Sequence, residues 1–381
     1  MFNTKSQINR ISLLLLIFIN ALFALKYGFR YTRSEIIAIL ITLFYITILL
    51  FAIYYISNNI LPINRENKKK YYWGILLLGI ILIVFMNMTP ETTRVGRLPA
   101  INEWLGNFID GKFPYRAESN PSGFPFLFFI AAPFYLLGDV GYLEVFGLLL
   151  FILIIINNAN FGKELILKLS LLLFSLPVFY ELFVRSELLT NITLFIAVAI
   201  PIYAKLSKED NKLVLGAGAI IMGMLLSTRL IVGLLLFLFL IFIYRNDFKK
   251  FFVFGIISFF VFLLTLLPFY LWDAEYFITK GPFSVQLLYL PIWAMIVFMI
   301  VIVYAGTIIS SLREFFFASG IILFLLTLVS FSITIYNFGL TNALFNDYFD
   351  ISYFIFALPF CILSLEEYKS QENLGRLLTD E

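Results

Sequence analysis

The chain has 381 residues, of which 61% are apolar and 13% charged, with a mean hydropathy of +0.96. A soluble domain carries about 25% charged residues, so this chain reads as a helical protein that crosses the bilayer many times, and its long unbroken apolar runs exclude a barrel. The net charge of +3 implies no nucleic-acid footprint, and zero histidines with a single cysteine, Cys361, exclude intrachain disulfides, thiolate or imidazole metal sites and histidine-dependent triads.

The first apolar run, roughly 11 to 27, follows Lys5 and Arg10 but is not followed by a small-residue cleavage site, so it reads as a retained helix. A second, roughly 35 to 57, closes a hairpin, and the basic stretch Arg65, Lys68, Lys69 and Lys70 follows it. These make a first segment, 1–72. A membrane module, 73–365, and a tail, 366–381, complete the chain. Within the module, runs near 73–89, 141–157, 165–181, 187–204, 212–226, 230–244, 251–271, 285–304, 315–336 and 349–365 bring the expected spans to about twelve. Gly123–Leu137 is apolar but short and interrupted by Pro125 and Pro133, which fits a re-entrant or interfacial helix.

Lysines and arginines set the orientation, because positive loops stay in the cytoplasm. About 17 of the 27 basic residues fall on one face if both termini are cytoplasmic in a multi-pass cell-membrane protein. Lys26, Arg30 and Arg33, in the first hairpin, fall on the opposite face, against this rule.

The extended connection from Thr89 to about Ser122 then lies outside. Leu98, Ile101, Leu105, Phe108 and Ile109 recur at helical spacing opposite Asn102, Glu103, Asn107 and Asp110, the pattern of a helix lying on the membrane surface, with Trp104 suited to the headgroup level. Asp110-Gly111-Lys112-Phe113-Pro114-Tyr115 breaks it with a turn. The sequons Asn87-Met88-Thr89 and Asn191-Ile192-Thr193 fall at the edge of a span and inside one, where modification is not expected.

This surface helix, with Gly111-Lys112-Phe113-Pro114-Tyr115, Asn120 to Pro125 and Ala132-Pro133-Phe134-Tyr135-Leu136-Leu137-Gly138, resembles the first outer loop of GT-C type glycosyltransferases. Ser227-Thr228-Arg229 and Leu267-Pro268-Phe269 before Trp272-Asp273 extend the resemblance loosely over residues 73 to 275. It implies a polytopic enzyme, mannosyltransferase-like, that takes a sugar from a polyprenyl-phosphate donor and passes it to an extracytoplasmic glycan, lipid or protein acceptor. It also admits a divalent metal ion.

Such a transfer needs a carboxylate to orient or deprotonate the accepting hydroxyl and cations to hold the leaving phosphate. Glu103 is the first candidate base, with a solvated surface carboxylate as the alternative. Asp110 and Glu91 follow, one suited to a turn and the other to starting a helix. Arg229 interrupts two apolar runs and is either a phosphate ligand or an arginine snorkelling to the headgroups. Glu181 and Arg185, four apart, suit an intrahelical ion pair, which leaves Glu187 free to face a cavity. Asp273 and Lys280 in the outer loop, with Trp104 and Tyr115 stacking on a sugar ring, complete the candidate binding residues. Two other functions fit the composition: a carrier or flippase for a lipid-linked saccharide or small solute, and a polysaccharide polymerase or ligase.

Overall fold

The computed structural model describes residues 5–59, 68–89, 97–159, 162–206, 211–286 and 291–366. Among them there is no strand, as expected where a bilayer forces every backbone group to be satisfied within its own segment. The helices are α1 (Lys5–Thr32), α2 (Glu35–Asn59), α3 (Lys68–Met88), α4 (Arg97–Ile109), α5 (Pro125–Leu136), α6 (Tyr142–Asn158), α7 (Lys163–Leu173), α8 (Leu176–Val184) and α9 (Leu188–Leu206). There follow α10 (Lys212–Leu226), α11 (Leu230–Tyr244), α12 (Phe248–Trp272), α13 (Ala274–Thr279), α14 (Pro282–Gln286), α15 (Ile292–Ile308), α16 (Leu312–Phe338), α17 (Leu340–Phe345), a 3-10 helix (Ile351–Phe356) and α18 (Leu358–Ser364).

Six of them, α1, α2, α3, α9, α12 and α16, are long and apolar enough to cross a membrane, and the bent pair α7 and α8 makes up to seven. The shorter apolar helices are α5, α6, α10, α11, α15 and the 3-10 helix with α18. Side-chain caps set several helix starts. Asn211 accepts from the amides of Leu213 and Val214 before α10, Asp247 from Lys250 before α12, and Ser311 from Glu314 before α16.

A large apolar core runs through α1, α6, α9, α11, α16 and α18, and α2, α3, α12 and α15 turn large apolar side chains outward, the distribution expected of helices facing lipid. A second, aromatic core lies under α4. Trp104 stacks on Phe128 at 4.2 Å, and Tyr115, Phe262, Phe269 and Phe277 close around them.

The run read from sequence as one span over 165–181 is broken in the structure. The axes of α7 and α8 differ by 48°, with Pro177 in the first turn of α8. A break in the apolar interior frees backbone groups, and α1 and α2 supply partners for them. The Asn20 side-chain oxygen accepts from the Leu176 amide at 2.9 Å, and the Tyr45 hydroxyl donates to the Phe174 carbonyl at 2.6 Å.

Hydrogen bonds fasten both ends of the bundle. At one, the Asn9 amide donates to the Glu366 carbonyl at 2.8 Å, Arg313 donates to Asn9 and Ser364, and buried Lys168 pairs with Glu164 and donates to the Leu363 carbonyl. At the other, the Lys26 ammonium donates to the carbonyls of Asn346 and Phe349 at 3.1 and 3.0 Å, and Arg30 pairs with Asp347. The basic residues of the first hairpin that fit the charge rule poorly are thus partly neutralised within the protein.

Helices α6 and α9 meet through Gly147, where an added Cβ would come within 2.1 Å of the Thr190 hydroxyl oxygen. That hydroxyl is already committed to the Leu143 carbonyl and the Glu144 carboxylate. Gly147→Val should therefore destabilise the fold by about 1–3 kcal/mol through overpacking. A lowered thermal midpoint in detergent checks this, and an unchanged midpoint would mean that the contact is loose.

Candidate functional site

The site grows from the ends of several helices. Helix α8 stops at Val184 and Arg185 takes the left-handed conformation, with φ of 56°, a position where a helix more often places glycine. This turn points the guanidinium away from its own helix. Arg185 donates to the Met86 carbonyl at 2.6 Å and to the Thr89 hydroxyl at 3.1 Å, and forms an ion pair with Asp139. Gly141 leaves room for its stem, since a Cβ there would lie 2.7 Å from the Arg185 Cγ. The expected Glu181–Arg185 ion pair does not form, because the helix ends before its second member and the arginine fastens α3 and the α5–α6 connection instead.

Glu187, in the short link before α9, pairs with Arg229, which caps α11 from an extended conformation. Both are buried. The arginine that sequence offered as either a phosphate ligand or a snorkelling side chain is drawn inward, and Glu187 has the partner that helical spacing could not supply.

Helix α4 contributes Arg97 at its first position. Its guanidinium donates to Asp350 at 2.6 Å and to the Ser352 hydroxyl at 3.2 Å, and stands 5.1 Å from the centre of the Tyr353 ring. The charges of Glu181 and Glu187 also act on it. The Asp350 carboxyl is held below the ordinary carboxylate range. Its withdrawal from water acts upward, and the Arg97 charge with hydrogen bonds from Ser352 outweighs it. A group with a depressed folded value adds stability above its unfolded value and loses it as pH falls through the folded one. Stability should therefore decline below about pH 4, and Asp350→Asn should flatten that limb of a pH-dependent melting series. An equal decline in the variant would assign the effect to other carboxylates.

Glu144, in the first turn of α6, accepts from the Thr190 hydroxyl through one oxygen, at 2.7 Å. Its other oxygen, both carboxylate oxygens of Glu181, one oxygen of Glu187, and Nε of both Arg185 and Arg229 make no hydrogen bond of good geometry among the described residues, although Ser186 lies beside Glu181. Glu144, Glu181 and Glu187 are close enough to repel one another. Buried polar groups are nearly always satisfied, so this concentration of acceptors and donors makes the cluster the candidate site. No group of three or more Asp, Glu, His or Cys side chains among the described residues is spaced to hold a metal ion.

The other residues singled out by sequence stand apart from this cluster. Both Glu103 oxygens are engaged by Ser119, at 2.9 Å from its amide and 2.5 Å from its hydroxyl, so this carboxylate fastens the loop below α4. Asp110 is exposed and pairs with Lys112. Glu91 lies outside the described residues. Trp104 and Tyr115 are fully buried, the Tyr115 hydroxyl donating to the Gly123 carbonyl at 3.0 Å, so stacking of a sugar on either ring is not what the fold provides. Helix α5 packs against Trp104 and covers one face of its ring with Phe128. Asp273 caps α13 through the Tyr276 amide and pairs with Arg116 at 2.7 Å, while Lys280 ends α13 exposed.

Arg97, Asp139 and Glu144 were not singled out from sequence, whereas Asp350, with Asp347 and Tyr348, read there either as a sugar or phosphate ligand or as part of a solvated loop. Glu144 carried the one usable signal, a lone acid inside an apolar run. Comparison of the chain with family models, with curated proteins and with solved structures finds no match.

Proposed function

We propose that the chain is a polytopic membrane glycosyltransferase of GT-C type, moving a sugar from a polyprenyl-phosphate donor to an extracytoplasmic acceptor. The observation that carries this reading is Glu181, a buried carboxylate whose oxygens make no hydrogen bond of good geometry among the described residues, set near Arg97, Asp350 and Glu187, the last of which pairs with Arg229. In the transfer the bond from the anomeric carbon to the phosphate oxygen breaks and a bond to the acceptor oxygen forms. The Glu181 carboxylate receives the acceptor proton, and the phosphate leaves with its charge balanced by arginine. Arg229, whose Nε is open, is assigned that role, and Arg97 and Arg185 hold the surrounding loops in place.

In this reading the short apolar helices other than α5, which is re-entrant or interfacial, join the six long ones and the bent pair to make twelve passes, with the arginine cluster outside and both termini cytoplasmic. The pairing of Asn9 with Glu366 supports termini on one side. The test is transfer of labelled sugar in membranes by the Glu181→Gln variant against Glu103→Gln.

A carrier for a lipid-linked saccharide is the second reading, favoured by one observation, the 48° break between α7 and α8, since broken helices build transport sites. Uptake into sealed vesicles that survives Glu181→Gln, with no sugar transfer by the parent, would select it.

A further inference from the structure

Toward the other end of α4 from Arg97, an open cleft of about 480 Å3 is lined by Asn107, Lys112, Phe113, Arg116, Trp272 and Asp273. Its volume lies in the range of small-ligand sites, about 300–1,000 Å3. The lining has a definite chemistry. Trp272 is 45% exposed and is braced edge-on by Phe113, their ring centres 5.8 Å apart. Around this aromatic wall stand the Asn107 amide, the Arg116 guanidinium and the Asp273 carboxylate, together able to donate and accept.

The charges nearly cancel. Arg116 is paired with Asp273 and Lys112 with Asp110, at 2.7 and 2.9 Å. A phosphate would have to displace a carboxylate from each cation, and the Asp273 carboxylate would repel it. A neutral polyhydroxylated ring meets no such opposition. Its C–H face can lie against an indole, and its hydroxyls can take both donors and acceptors.

The geometry points to a carbohydrate-binding cleft at Asn107, Arg116, Trp272 and Asp273 that holds the distal end of a neutral glycan acceptor. The inference rests on the glycosyl-transfer reading and narrows its acceptor class from glycan, lipid or protein to glycan. Arg97, in the buried cluster, and Asn107, in the cleft, stand at opposite ends of α4, about 15 Å apart by helical rise. An acceptor reaching from one to the other must therefore be an oligosaccharide.

The test is retention of the full chain, labelled and held in lipid nanodiscs, on arrayed neutral oligosaccharides of graded length. Retention should rise with chain length, and Trp272→Ala and Arg116→Gln should each weaken it about tenfold, the effect of losing one good contact. Arg116 is exposed, so its variant keeps the test sound should Trp272→Ala fold poorly. Absence of retention on any neutral glycan, retention unaffected by both changes, or displacement by glycerol phosphate in preference to neutral sugar would each overturn the proposal. Binding is read without turnover. An inactive parent that binds glycan would count against the transfer reading alone.

Discussion

Glu181→Gln is expected to lower sugar transfer a hundredfold or more, about what a positioned general base contributes, with the protein present in membranes at the parental level. The amide keeps the volume of the side chain and removes only the oxygen that can take a proton. Since neither Glu181 oxygen is committed to a hydrogen bond of good geometry among the described residues, the exchange should disturb little of the fold. Glu103→Gln provides the contrast. It weakens the Ser119 contacts that hold the loop below α4 and should leave transfer within a few-fold of the parent. The measurement is incorporation from a labelled polyprenyl-phosphate sugar into membrane acceptors, normalised to protein. Full activity in the Glu181 variant would remove it from the chemistry.

The second large effect concerns Arg229. Replacing it with methionine leaves the Glu187 carboxylate buried without its cation, a change that costs about 3–5 kcal/mol when one member of a buried pair is removed. Arg229→Met should therefore yield little folded protein, or protein with a much lower thermal midpoint in detergent. Exchanging both members for apolar residues of similar volume removes the stranded charge, and Arg229→Met with Glu187→Leu should recover most of the midpoint without recovering transfer. A single Arg229→Met variant that melts like the parent would show that the pair does not hold the α10–α11 junction to the α9 start.

The all-helical architecture was legible because apolar runs of this length have few other solutions in a bilayer. Six helices are long enough to be recognised alone, while the shorter ones depend on neighbours that composition does not specify. The break after Phe174 shows the limit. Ser175-Leu176-Pro177 hints at an interruption, but the stabilising partners Asn20 and Tyr45 lie in other helices.

The site was legible to the same depth. Arg185, Glu187 and Arg229 stood out as charges in apolar surroundings, yet their pairings did not. Asp139 is 46 residues from Arg185, and Arg229 is 42 from Glu187. Helical spacing matched Glu181 to Arg185 only on the assumption that the helix continued through both. For α4, periodicity separated a polar face from an apolar one, but it could not say that Ser119 would meet Glu103 or that α5 would bury Trp104.

Lys26 has a consequence for how the chain comes together. The carbonyls that receive its ammonium belong to residues 320 and 323 positions later. Synthesis runs from the N-terminus, so the opening helix must wait in a provisional arrangement, its cation answered by water or lipid, until nearly everything else has been made. Assembly at this end of the bundle thus closes late, and a polypeptide cut short before Asn346 would leave the Lys26 ammonium without either of its carbonyls.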